Sequence, residues 1–146
     1  MSEKQQNYAN HTRFDPWFHF TLLPFLLFFL IAGIVGIFRS HHDRPAHVVL
    51  AVLAFVLLWI ALRARTYSLK LQDRVIRLEE HLRLAALLSE PLRARIPELT
   101  VKQLVALRFA SDAEVSALVE RTLSEKLEPK AIKQAIQNWR GDYLRV

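Results

Sequence analysis

Apolar positions along this chain come first as unbroken blocks and then as helical stripes. Trp17 to Phe38 carry no formally charged side chain over 22 positions, and Ala46 to Leu62 carry none over 17. As α-helices these runs would cover roughly 33 and 25 Å, against a hydrocarbon core of about 30 Å. Only residues 39–45 separate them, so the pattern predicts a transmembrane hairpin with spans 17–38 and 46–62 and a short loop 39–45. Residues 1–16 form an N-terminal tail. Pro16 suits an early helical position; Pro24 lies deeper and predicts a kink, because it has no N–H to donate and its ring crowds the preceding turn, unless the helix starts later than Pro16.

No Gly or Pro interrupts the chain from Ala46 to Leu88. The second helix is therefore expected to continue as a stalk over 63–88. Along it Leu71, Val75, Leu78, Leu82 and Ala85 recur at spacings of 4, 3, 4 and 3. That is a heptad seam of about two repeats, fewer than the three or four that mark a coiled coil. Its expected partner is the chain's own C-terminal helices, with self-association through the stalk as the alternative.

Residues 89–146 read as a small helical module. Ser89 can cap a short helix that opens with Pro91 and closes before Pro97. Thr100 to Gln103 and Ser111 to Glu114 match capping boxes, the second followed by Val115, Leu118, Val119 and Leu123 on one face. Pro129 suits a first helical turn, and Ile132, Ala135, Ile136 and Trp139 extend that helix to Arg140, with Gly141 as its left-handed cap. The expected fold is thus an all-α membrane protein: a two-helix hairpin whose second helix runs on as a stalk into a helical module.

Charge orients it. The 20 Lys+Arg and 14 Asp+Glu give +6. Between Arg63 and Arg77 five basic residues face only Asp73, whereas Leu78 to Val146 hold 11 basic and 10 acidic residues. The excess is juxtamembrane, which argues against nucleic acid as partner. Lys4 and Arg13 before the first span, with those five after the second, outnumber Arg39 and Arg44 in the loop. The positive-inside rule then puts both termini in the cytoplasm. Phe14, Trp17, Phe18 and Phe20, and Trp59 with Tyr67, fit the aromatic belts. A signal peptide is disfavoured by the length of the first apolar run and the second span behind it.

Few residues suggest chemistry. With no cysteine, thiol catalysis and Cys-type zinc sites are excluded. His41, His42, Asp43 and His47 match no established metal spacing, and no metal is expected. His19 and His47 sit at the edges of apolar helices, where an imidazole could ligate haem or a pigment; no cofactor is expected beyond that alternative. Arg74, Arg77 and Glu80 read as solvated ion pairs. Arg63, Arg65 and Lys70 suit anionic lipid headgroups. Ala32 and Gly36 form a small-xxx-small patch on which another helix can pack closely, either a partner's, as an interface, or the chain's own second span through Ala51 and Ala54, closing the hairpin on itself. Trp139, Arg140, Tyr143 and Arg145 combine the side chains that most often anchor interfaces, set against a simpler role for Trp139 and Leu144 in closing the core and for Arg140 in pairing with Asp112 or Asp142. No nucleophile triad, acid dyad or phosphate loop can be assembled, and three glycines leave no room for the last.

Three strings, Lys70 to Glu80, Leu104 to Asp112 and Ala135 to Val146, resemble an uncharacterised family of small bacterial membrane proteins, a domain of unknown function. Its members have two N-terminal spans and a helical cytoplasmic tail that ends in a closely similar string, often with Pro where Gly141 stands here. The resemblance implies the bacterial inner membrane and supplies no activity. The expected function is a non-enzymatic accessory or scaffolding subunit of an inner-membrane assembly, with membrane lipid and a larger complex or a second copy as partners. The alternative is a haem- or pigment-associated subunit using His19 or His47.

Overall fold

The computed structural model describes residues 6–10 and 15–142. All regular structure among them is helical. A π-helical stretch, Trp17–Leu22, leads into α1, Leu23–Arg39. Then come α2, Arg44–Leu87, a 3-10 turn at Arg93–Glu98, α3, Val101–Leu107, α4, Val115–Glu125, and α5, Pro129–Ala135. The described residues fall into two compact units, one of residues 15–69 and one of residues 6–10 with 70–142.

In the first unit two helices, Trp17–Arg39 and Arg44–Leu87, are long and apolar enough to cross a membrane. Most of their large apolar side chains are exposed, among them Phe25, Phe28, Val52 and Phe55. Pro24 falls in the first turn of α1. Upstream of it the helix is wound more widely: Leu23 N–H donates to Phe18 O, five residues back. This register accommodates a proline that lacks a donor of its own. The connection is shorter than the expected loop, because Arg44 and Pro45 already belong to α2. Ser40 closes it, its Oγ donating to Asp43 Oδ2 at 3.2 Å and accepting Asp43 N–H at 3.3 Å. Small residues let the two helices approach. A Cβ built on Gly33 would lie 2.8 Å from Ala51 N, and one on Gly36 would overlap the His47 ring. Ala51 and Ala54 are buried, as expected of residues facing this patch.

In the second unit α3 lies against both α4 and α5, and Leu84 and Leu88, at the end of the stalk, complete a core with Leu104, Leu107, Phe109, Val119 and Ile132. The Thr100–Gln103 capping box forms: Thr100 Oγ1 accepts Gln103 N–H at 3.3 Å, and Gln103 Oε1 accepts Thr100 N–H at 2.9 Å. Three expectations fail. The short helix after Ser89 starts at Arg93 and holds Pro97 inside it, as a 3-10 turn. The second box forms by half, since Ser111 Oγ caps nothing and α4 starts at Val115. Finally α5 ends at Ala135, and no glycine has positive φ, so Gly141 is not a left-handed cap. The chain turns extended at Ile136 because a competing partner exists: Trp139 pairs with Ala110 in an antiparallel bridge. Arg140 N–H donates to Phe109 O at 2.7 Å, and Ser111 N–H donates to Asn138 O at 3.0 Å.

Candidate functional site

The stalk portion of α2 has two apolar stripes, and the module covers the one that the heptad reading did not choose. Ile76, Glu80, Leu84 and Leu88, spaced by four, are all buried. At 3.6 residues per turn the heptad seam lies on the opposite face. There Leu71, Val75, Leu78 and Leu82 are 62, 47, 63 and 66 % exposed. The seam therefore does not pack on the chain's own C-terminal helices. A stripe of period four also suits a helix docked on a globular core, and it carries Leu84 and Leu88, which enter that core.

The buried stripe contains a carboxylate. Glu80 is 4 % exposed and accepts from Arg83 Nη1 at 3.1 Å, with Arg140 Nη1 3.9 Å away. It is not the solvated partner of Arg74 or Arg77 that spacing alone suggested. Burial raises its pKa above the ordinary carboxylate range, and the nearby Arg83, Arg140 and Arg108 only partly oppose that. Arg83 also donates to Asp112 Oδ1 at 2.6 and 2.8 Å and to Ala110 O at 2.7 Å, and its bonds to the carboxylate lower the Asp112 pKa. Arg108 pairs with Asp142 at 3.1 Å and lies over the Phe109 ring. Glu80, Arg83, Arg108, Arg140 and Asp142, with Ile76, Glu79 and Gly141, line a groove of about 640 Å³. Its charges largely answer one another. The groove reads as a polar lock between stalk and module, with the half-exposed Arg140 at its rim.

Of the predicted interface residues, Trp139 closes the core, its ring 5.2 Å from that of Phe109. Arg140 approaches Glu80, and Asp142 is held by Arg108 instead. Tyr143 and Arg145, with Leu144, lie outside the described residues. Glu114, which the sequence offers only as a capping-box residue, organises this tail: its carboxylate accepts N–H groups of Ser111, Gln137 and Asn138 at 3.0–3.2 Å. Its position as the last residue of an apparent capping box was the available signal. The N-terminal segment joins the same unit, since Gln6 exchanges two hydrogen bonds with the Asp142 backbone, at 3.0 and 3.1 Å.

In the hairpin unit, Ala32 is half-buried and Gly36 lies against His47. The neighbouring Gly33, which sequence reading passed over, makes the closer backbone approach. His19 Nδ1 lies 2.8 Å from Asp15 O, so His19 and His47 stand at opposite ends of the hairpin and do not share a site. Among the described residues no three His, Asp or Glu side chains gather as a metal site. Arg44 binds Ile37 O and His41. Arg63 stacks between Trp59 and Tyr67, while Arg65 turns inward over Phe18, 4.0 Å from Asp15. Lys70 is exposed. Phe14, Lys4 and Arg13 lie outside the described residues.

Comparisons with curated proteins and with solved structures return no match. A family model described as a family of unknown function, DUF6526, matches residues 1–146. The chain, with its two long apolar helices and its helical C-terminal unit, belongs to that family.

Proposed function

We propose that this protein is a membrane-anchored, non-enzymatic scaffolding or accessory subunit of a bacterial inner-membrane assembly. The observation that carries the reading is the stalk: one face is locked into the module, while the opposite face leaves four large aliphatic side chains exposed in a row. A row of this kind is characteristic of surfaces that meet another protein. The hairpin supplies the anchor, because helices this apolar and this exposed suit lipid. The Gln6–Asp142 pairing supports flanking segments on one side of the bilayer, and the juxtamembrane basic residues favour the cytoplasm. Arg63 and Lys70 are then available to anionic headgroups, whereas Arg65 is partly engaged by Asp15. The non-enzymatic part of the proposal draws on the groove, whose buried acid and bases are spent on one another. Native mass determination in mild detergent, with capture at endogenous levels, tests it. A species heavier than the detergent-bound monomer is expected; a lone monomer that brings down no partner would sink the reading.

A further inference from the structure

We infer that the exposed stalk seam is closed by a second copy of this chain, as a parallel, in-register two-helix contact. The inference rests on the scaffolding proposal and names its partner. Three observations select that occupant. First, the heptad places Val75 and Leu82 at a positions and Leu71, Leu78 and Ala85 at d positions; all but Ala85 are large apolar side chains, and the β-branched Val75 at a between Leu71 and Leu78 at d is the combination that favours two parallel strands. Second, the flanking charges match in that arrangement alone. Arg74 falls at g and Glu79 at the following e, five residues on, so a parallel pair brings Arg74 of each copy beside Glu79 of the other, twice by symmetry. An antiparallel pair would set Arg74 beside His81 and leave the two Glu79 residues without that cation. Both Arg74 and Glu79 are exposed. Third, the seam lies on the same unbroken helix, Arg44–Leu87, as the second apolar run. Two copies anchored alike in one bilayer present their stalks in the same direction, and confinement to the membrane raises their effective concentration. That compensates for a seam of about two heptads, too short to hold two free helices together in water.

The absence of cysteine gives each test variant a single thiol. In native membranes containing the full chain, mild oxidation of Leu71→Cys, Val75→Cys, Leu78→Cys and Leu82→Cys should each give a disulfide-linked dimer. Asp73→Cys, exposed at the f position, should give none. In the Leu78→Cys background Arg74→Glu should abolish most of the dimer band, and adding Glu79→Arg should restore it. All of these positions are solvent-facing, so loss of the band does not reflect loss of the fold. Equal bands from the Asp73→Cys and Leu78→Cys variants, or a band indifferent to the charge swap, would overturn the parallel seam. Adducts of the Leu78→Cys variant with a different protein in place of the dimer would overturn the second copy as occupant and leave the scaffolding proposal standing. A monomer by both cross-linking and native mass removes both.

Discussion

Arg83 holds two carboxylates whose acidities move in opposite directions, and the consequences can be separated by mutation and by pH. Glu80 is buried and its pKa raised, so the folded chain keeps a proton there at a pH where the unfolded chain has lost it. That contribution is full at low pH and is lost as pH rises through the raised value. Asp112 is exposed and its pKa lowered by Arg83; its contribution is present above the ordinary carboxylate range and is lost as pH falls. Hydrogen exchange of the α3 amides in the detergent-solubilised chain reads both. Replacing Glu80 with Gln should leave stability at neutral pH unchanged or higher and flatten its fall above the carboxylate range, since the cost of burying that charge exceeds what its arginines return. Arg83→Ala should cost about 3–5 kcal/mol, because it strands Glu80 without its closest cation and frees Ala110 O. Equal losses from the two variants would mean that Glu80 is an ordinary stabilising partner. The sequence held one sign of this site: a glutamate at the place where a stripe of period four required an apolar residue.

At the scale of elements, what could be read from the chain depended on whether a local partner sufficed. The Thr100 box needs only residues three apart, and it forms. The end of α5 could not be read, because Trp139 finds Ala110 and Glu114 finds the Gln137 and Asn138 amides across more than 20 residues of chain. The heptad seam was legible as a seam, but its covering was not: two stripes compete on one helix, and tertiary packing chose the other. The hairpin was legible because lipid selects for uninterrupted apolar length, and its closing residues were visible as small side chains, although Gly33 rather than Ala32 makes the tight contact. Gly33→Val should therefore separate the helices, the new Cβ lying 2.8–2.9 Å from Ala51 atoms, at a cost of about 1–3 kcal/mol. A lowered thermal aggregation midpoint in detergent is the expected readout. Val35→Leu, on an exposed face, should leave it unchanged, and equal effects from both would argue that the helices do not meet there.

For the whole molecule, the decisive relation is between the two flanks of the hairpin. Residues 6–10 precede the first apolar helix and residues 70–142 follow the second, yet Gln6 and Asp142 are bonded to each other. A chain that crossed the bilayer an odd number of times between them could not make that bond. Two crossings can. The basic residues from Arg63 to Arg77, which outnumber the loop's Arg39 and Arg44, are the ground for the proposal that the flanks are cytoplasmic. In intact bacterial cells a membrane-impermeant thiol reagent should label His42→Cys directly and reach Ser124→Cys or Gln6→Cys only after permeabilisation. Labelling of Ser124→Cys and Gln6→Cys from outside, with His42→Cys protected, would keep the hairpin and reverse its orientation. Labelling of Gln6→Cys and Ser124→Cys from opposite sides would break the hairpin itself, because it cannot coexist with the Gln6–Asp142 pairing. A hairpin with both flanks on one side is also what the proposed parallel contact between two stalks requires. The labelling pattern therefore fixes the geometry that any partner of the seam has to meet.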